Sequence, residues 1–314
     1  MTNTFRPRRF AVAAVVCLSL AASACERRQT SRTYATPEDA VKALTAAVKA
    51  GNIDDVTAIF GPEGQALIDS SDAATARRNR EVFTAAAVER WRLEEKGANG
   101  RVLVIGNEDW PFPVPLVKDG SSWRFDTAAG KEEILNRRVG RNELSAILIC
   151  RTYVIAQQVY ASRGHDGAPA GVYATAFRSE QGKENGLYWP AARGAKRSPL
   201  GDLVARAAEE GTALGDNAKP APFHGYYFKI LTKQGAAAEG GAKDYVAGGR
   251  MSGGFALVAW PAEYDATGVM TFLVGSDGLV RERDLGSDTA TAARQMAAYD
   301  PDASWAPVGA AAHK

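Results

Sequence analysis

Residues 129–162 have the sequence AGKEEILNRRVGRNELSAILICRTYVIAQQVYAS, which contains no proline and has Gly140 near its middle. Its apolar and aromatic residues recur three or four positions apart, which is the spacing of one helix face. We therefore predict a long helix over Ala129 to Ser162, and a kink at Gly140 with a restart at Asn142-Glu143 stays open as an alternative. We expect the apolar side chains Leu144, Ile147, Leu148 and Val154 to be buried on a sheet formed later in the chain.

The chain before this helix has the signals of helices followed by antiparallel strands. Thr36 can cap a helix, Pro37 suits its first position, and Gly51-Asn52 is expected to end it. Arg101 to Gly106 has a strand pattern, and Asp119-Gly120 is typical of a hairpin turn. These signals predict an α+β domain over residues 35–128, and the order of its elements resembles the cone-shaped nuclear-transport-factor-2-like fold.

The chain after the helix alternates apolar strand patterns with glycine-containing turns. The strand patterns cover residues 226–231, 253–260, 269–274 and 279–282. We predict that residues 129–306 form a second α+β domain, in which the long helix packs on an antiparallel sheet. Residues 307–314 are expected to be a frayed tail.

Residues 1–25 contain the three parts of a secretory signal peptide. Three arginines within residues 6–9 are followed by an apolar run over Phe10 to Leu20 and then by the small residues AASAC. Eleven residues are too few to span a bilayer, which takes about 20 helical residues. The sequence therefore predicts an exported, periplasmic protein.

The residues around Cys25 predict how the exported protein is attached to a membrane. Ala22-Ser23-Ala24 before Cys25 resembles a bacterial lipobox, in which the cysteine is acylated and becomes the first residue of the mature chain. Residues 26–34 then form a polar tether to a membrane, with the outer membrane as one candidate. The same small residues fit cleavage by ordinary signal peptidase, and this alternative stays open.

The charge of the chain argues against nucleic acid as a partner. The whole chain has 38 basic and 36 acidic residues, and removal of residues 1–25 leaves 35 basic residues against 36 acidic ones. A near-neutral chain without a basic stripe lacks the electrostatic footprint of a nucleic-acid-binding protein.

Residue types that commonly carry catalysis are scarce in the predicted mature chain. Cys150 is its one thiol besides Cys25 and lies in an apolar helical stretch, where a buried, inert cysteine is expected. The histidines His165, His224 and His313 are scattered, and neither a Gly-x-Ser-x-Gly elbow nor a metal-ligand spacing occurs. We predict no catalytic residue, no metal and no cofactor.

Aromatic residues in segments rich in proline and glycine are the remaining functional signal. Such residues can build a cleft for a sugar, a peptide or a partner protein, although ordinary core packing would use the same residues. The candidate cleft comprises Trp110, Trp123, Asp126, Trp189, His224, Tyr226 and Trp260.

Seven longer motifs resemble one known family across almost the whole predicted mature chain. They are WPFP (110–113), WRFD (123–126), AGKEE (129–133), RRVGRNEL (137–144), LYWP (187–190), HGYYF (224–228) and GGFALVAWP (253–261). Together they are similar to the exported bacterial family called domain of unknown function 2950. The family has no assigned activity, so the resemblance implies no catalytic residue.

The second half of the chain also resembles pilin-like globular domains. In those domains a helix precedes a glycine-rich loop and an antiparallel sheet, and Gly254-Phe255, Thr271-Phe272 and Asp277-Gly278 occur here in the matching order. A prepilin peptidase signal is absent, which argues against an ordinary pilus subunit.

These observations leave two function classes. The first is a lipid-anchored, non-enzymatic binding or assembly module whose partner is an envelope protein or polymer. The alternative is an envelope hydrolase that uses a carboxylate such as Asp126, or His224, in the aromatic cleft.

Overall fold

The structure of this protein is a computed structural model that describes residues 31–65, 73–190, 197–204 and 221–309. It divides into two compact units, Met1–Thr127 (unit 1) and Ala128–Lys314 (unit 2). Both units combine helices with antiparallel sheets, which confirms the α+β class. The expected signal peptide, Cys25 and the first five residues of the expected tether lie outside the described residues.

Unit 1 packs helices against a small antiparallel sheet. The described helices are α1 (Pro37–Ala50), α2 (Ile53–Phe60) and α3 (Ala73–Glu89). The strands are β1 (Trp91–Glu95), β2 (Gly100–Ile105), β3 (Trp110–Pro111), β4 (Leu116–Asp119) and β5 (Ser122–Phe125). Their order is β1-β2-β4-β5, and β3 also pairs with β2. The apolar core includes Leu44, Ile59, Leu103, Leu116 and Phe125, all fully buried.

The ends of α1 follow from local chemistry. The Thr36 hydroxyl accepts a hydrogen bond from the backbone N–H of Asp39 at 3.1 Å, which satisfies one of the free donors of the first turn. Gly51 ends the helix with φ 65°, a left-handed conformation that costs glycine little. The expectations for this helix from Thr36, Pro37 and Gly51 are therefore confirmed.

Residues 31–34, which we expected to belong to the tether, are hydrogen-bonded within unit 1. The backbone N–H of Tyr34 donates to the carbonyl of Trp123 at 2.8 Å, and the N–H of Trp123 donates back at 2.7 Å. The N–H of Arg32 donates to the carbonyl of Ala58. Polar composition alone does not reveal such pairing, because the backbone groups that form it are the same in every residue except proline.

Unit 2 is built on a long helix and a five-stranded antiparallel sheet. Helix α4 (Thr127–Ala161) starts at the last residue of unit 1 and continues without a break through Gly140. The strands of the sheet are β6 (Tyr226–Leu231), β11 (Ala256–Pro261), β12 (Met270–Gly275), β13 (Arg281–Asp284) and β14 (Ala306–Pro307). Their order in the sheet is β14-β13-β12-β11-β6.

Short elements complete unit 2. Two two-stranded ribbons pair β7 (Lys233–Gln234) with β8 (Lys243–Asp244) and β9 (Val246–Ala247) with β10 (Arg250–Met251). The last described helix is α5 (Thr289–Gln295).

Helices lie on both faces of this sheet. Tyr226 interacts with Glu143 and Cys150 of α4, whereas the Lys229 ammonium donates to the carbonyls of Arg294 and Met296 at the end of α5. Residues 226 and 229 of one strand point to opposite faces. Every residue of β11 is buried, as expected of a strand covered on both sides.

The buried face of α4 differs from the expected one. Ile147 and Val154 are buried as expected, but Leu144 and Leu148 are 69% and 55% exposed. The buried side is centred on Cys150, Tyr153 and Gln157 instead. Residues 144 and 148 lie on the opposite side of a helix with 3.6 residues per turn, so the expectation that they pack on the sheet was wrong.

Among the described residues, α4 is the one helix long and apolar enough to cross a membrane by length and composition alone. Half of its most apolar window is buried in the protein. This burial is the expected result for a helix that packs on a sheet.

The start of the expected tail is also attached. In β14, Pro307 pairs with Arg281, and the N–H of Val308 donates to the carbonyl of Val280 at 3.0 Å. Pro307 and Val308 are therefore bonded to the edge of the sheet. Residues 310–314 lie outside the described part of the chain.

Candidate functional site

Trp110 is the exposed end of a row of aromatic rings in unit 1. Its indole is 45% exposed and meets the Phe112 ring edge-on at 6.2 Å. Phe112 in turn contacts the rings of Phe60, Phe83 and Phe125 at 5.5–6.4 Å. The row therefore fixes an exposed indole on the core of unit 1, which provides a rigid contact surface at small entropic cost.

Asp109, the residue before Trp110, is held by two arginines at the start of β1. The Asp109 carboxylate accepts hydrogen bonds from Arg90 and Arg92, and Arg92 also pairs with Glu94. The hydrogen bonds from Arg92 and then Arg90 lower the pKa of Asp109, and those to Asp109 and Glu94 raise the pKa of Arg92. Asp109 itself has φ 53°, a left-handed conformation that aspartate tolerates in turns.

Trp123 and Asp126, the other two candidate residues of unit 1, are less exposed than Trp110. Trp123 is buried, and the Arg101 guanidinium lies 5.5 Å from the centre of its ring, in a cation–π arrangement. Asp126 is partly buried directly before α4, and its backbone N–H donates to the carbonyl of Pro115.

Tyr226 and Trp260 belong to the core of unit 2. Tyr226 is fully buried, and its hydroxyl donates to the carbonyl of Met270 at 2.9 Å. The pKa of Tyr226 is raised mainly by burial and to a smaller extent by the negative charge of the Glu143 carboxylate. Trp260 is buried against the ring of Tyr227 at 5.7 Å, and its Nε1 has no hydrogen-bond partner among the described residues.

His224 occupies a tight turn. Phe223 and Tyr226 exchange backbone hydrogen bonds of 2.7 and 3.1 Å, and the two residues between them have φ 48° at His224 and 75° at Gly225. Positive φ at both central residues defines a type I′ turn, which suits a two-residue hairpin. His224 therefore has a structural role in the entry to β6.

Trp189 lies in a polar cluster whose other members are not among the predicted site residues. Its ring is 5.7 Å from that of His165, which stacks on Tyr160 at 4.1 Å. Nδ1 of His165 is 3.0 Å from a Glu184 carboxylate oxygen, and Nε2 is 3.1 Å from the carbonyl oxygen of Tyr160. The Tyr160 hydroxyl donates to the carbonyl of Glu184, and burial raises its pKa to about 12.

This cluster ties the loop after α4 to the helix. Both ring nitrogens of His165 face acceptors, and the imidazole is almost fully buried. The sequence signal that could have identified it is the Gly164-His165-Asp166-Gly167 turn, but its partner Glu184 lies 19 residues further along the chain.

The seven candidate residues are divided between the units. Trp110, Trp123 and Asp126 belong to unit 1, and Trp189, His224, Tyr226 and Trp260 belong to unit 2. Within unit 2, Tyr226 and Trp260 lie on neighbouring strands but point to opposite faces, because Trp260 pairs with Tyr227. The single cleft inferred from the sequence stays a prediction.

The one cysteine among the described residues is Cys150 of α4. Cys150 is fully buried, and burial raises the pKa of its thiol to about 12, so the reactive thiolate is strongly disfavoured. No group of three or more His, Cys, Asp or Glu side chains in the described ranges is placed to hold a metal ion.

One comparison with known proteins identifies a relationship. The family model described as "Protein of unknown function (DUF2950)" matches residues 31–308. No curated protein and no solved structure matches the chain. Because the family match spans all but the ends of the chain, the protein belongs to the DUF2950 family.

Proposed function

We propose that this protein is an exported, lipid-anchored, non-enzymatic binding or assembly module of the bacterial cell envelope. The observation that carries the proposal is the order of the first 25 residues: arginines, an apolar run, small residues and then Cys25. The acylated Cys25 would hold the protein at a membrane, and residues 26–30 would connect it to unit 1.

The binding role is supported by the surface around Trp110. An indole that is held rigidly by Phe112 and flanked by the pairs of Asp109 with Arg90 and Arg92 resembles the aromatic anchors that dominate protein interfaces. The partner would be an envelope protein or polymer.

Acylation is tested by growing bacteria that express the chain with labelled palmitate. The wild type should incorporate label and fractionate with membranes, whereas Cys25→Ser should not incorporate it. Cys17→Ala is the matched control, because Cys17 is removed with the signal and its variant should be labelled as the wild type is. Equal labelling of Cys25→Ser would contradict lipidation at Cys25, and an unlabelled, fully soluble wild type would favour ordinary signal-peptidase cleavage.

Binding and hydrolysis are separated by incubating the purified protein with isolated cell-wall polymer. A binding module should be retained on the polymer without releasing products, and Trp110→Ala should weaken retention about tenfold. Val246→Ala, at an exposed aliphatic residue of unit 2, is the control and should bind as the wild type does. Soluble products that disappear in Asp126→Asn or His224→Ala would support the hydrolase instead.

A further inference from the structure

The exposed side of α4 carries a row of aliphatic side chains. Leu144, Leu148, Ile155 and Val159 are 69%, 55%, 61% and 43% exposed. Their spacing of four, seven and four residues places them on one side of the helix. The row extends about 22 Å along α4, at about 1.5 Å per residue. Scattered exposed aliphatics are common on proteins, but four of them aligned on one side of a helix are less so.

Two arginines make this row basic. Arg141 and Arg151 are exposed on the same side of α4, and neither has an ion-pair partner among the described residues. The one acidic residue between positions 134 and 163 is Glu143. Its carboxylate accepts hydrogen bonds of 2.9 and 3.0 Å from the backbone N–H groups of Val269 and Met270, so it faces the sheet.

We propose that this basic apolar row, Arg141 to Val159, lies on the surface of a bilayer that contains anionic phospholipid. The helix would lie parallel to the membrane, with its aliphatic side chains in the boundary between headgroups and acyl chains. The guanidinium groups of Arg141 and Arg151 would contact lipid phosphates. The inference deepens the proposed function, because an acyl chain on Cys25 would keep the protein near such a surface and raise the effective concentration of the row.

The charges favour lipid over a second copy of the chain. A second copy would bring two more arginines against a helix whose one carboxylate between residues 134 and 163, that of Glu143, is already bonded to the sheet. A bilayer with anionic headgroups supplies both the negative charge and the apolar layer that the row requires. A membrane-spanning role for α4 is disfavoured, because Tyr153 and Gln157 on its other side are buried in unit 2 with polar partners.

The test uses residues 25–314 with Cys25→Ser, which retains every described residue and cannot be acylated. The protein is sedimented with vesicles of phosphatidylcholine alone or of phosphatidylcholine with phosphatidylglycerol. We expect binding to the anionic vesicles only, weakened at about 1 M salt, where charges are screened within about 3 Å. Arg141→Gln with Arg151→Gln should lower the partition coefficient about 30-fold, and Leu148→Ser with Ile155→Ser about tenfold or more.

The matched control places the same charge change elsewhere on unit 2. Arg250→Gln with Arg294→Gln alters two exposed arginines outside the row and should bind as the wild type does. Unchanged circular dichroism and thermal midpoints would show that the variants are folded.

Three results would overturn the inference. They are absence of binding to the anionic vesicles, equal losses in the row and control variants, and a dimer in sedimentation velocity that Leu148→Ser with Ile155→Ser dissociates. The outcome is separate from that of the palmitate experiment, because the protein used here carries no acyl chain.

Discussion

Gln157 and Thr271 illustrate opposite ways of burying a polar side chain in unit 2. Gln157 is fully buried, and its amide donates to the Tyr153 hydroxyl and the Ala174 carbonyl and accepts from the Ala174 N–H. Thr271 is equally buried, but its hydroxyl has no hydrogen-bond partner among the described residues. A buried polar group that is bonded costs little, whereas an unbonded one loses its interactions with water without replacement.

Thr271→Val should therefore stabilise the protein. The substitution keeps the shape of the side chain and removes the unbonded hydroxyl, so the free energy of unfolding should rise by about 1 kcal/mol in urea denaturation. Gln157→Leu is the contrasting variant and should lower it by about 2 kcal/mol, because it leaves the polar groups of Ala174 unpartnered. A loss of stability in Thr271→Val would show that the hydroxyl has a partner after all.

Helix α4 packs one side on the sheet of unit 2 and exposes the other side to solvent. Its inner side places Tyr153 against the carbonyl of Ala256, and Asn142 donates to the carbonyl of Thr267. Its outer side holds Leu144 and Leu148 in solvent. Two adjacent residues, Ile147 and Leu148, thus have opposite environments and allow a matched comparison.

Ile147→Ala should lower the free energy of unfolding by about 2–5 kcal/mol, because it leaves a cavity between α4 and the sheet. Leu148→Ala should change it by less than about 0.5 kcal/mol, because the leucine is exposed. Denaturant midpoints of both variants measure the difference. Equal destabilisation would mean that Leu148 is buried when the protein is in solution.

At the scale of the whole molecule, tyrosines with raised pKa values are concentrated in unit 2. Burial is the main cause at Tyr160 and Tyr245, whose pKa values rise to about 12, and it raises the pKa of Tyr153, Tyr226 and Tyr299 further. In unit 1, among the described residues, the tyrosine with a raised pKa is Tyr34. The two units should therefore respond differently to alkali.

Unit 2 should lose stability before unit 1 as the pH rises. A raised pKa in the folded state means that folding favours the neutral tyrosine. The tyrosine's contribution to the free energy of unfolding is therefore complete below the unfolded-state pKa of about 10, and it falls as the pH rises toward about 12. Pulsed hydrogen exchange between pH 9 and 12 reports the two units separately. Tyr245→Phe should reduce the loss in unit 2, and simultaneous opening of both units would contradict the prediction.

Local sequence determined the features that depend on a few neighbouring residues. Thr36, Pro37 and Gly51 marked the ends of α1, and the absence of proline indicated the long helix α4, whose continuity through Gly140 only the structure showed. Short apolar and aromatic runs between turn residues identified β6, β11, β12 and β13, because such side chains suit the buried faces of a sheet. The family resemblance rested on motifs of four to nine residues, and the match over residues 31–308 confirmed it.

Tertiary structure alone decided which side of each element is buried and which distant residues meet. Periodicity located an apolar helix, but both sides of α4 carry aliphatics, so only packing on the sheet showed that Ile147 is inside and Leu148 outside. Aromatic composition could not separate the exposed Trp110 from the buried Trp123, because the same ring serves either purpose. The pairing of Tyr34 with Trp123 joins backbone groups that are 89 residues apart, and such contacts leave no local pattern.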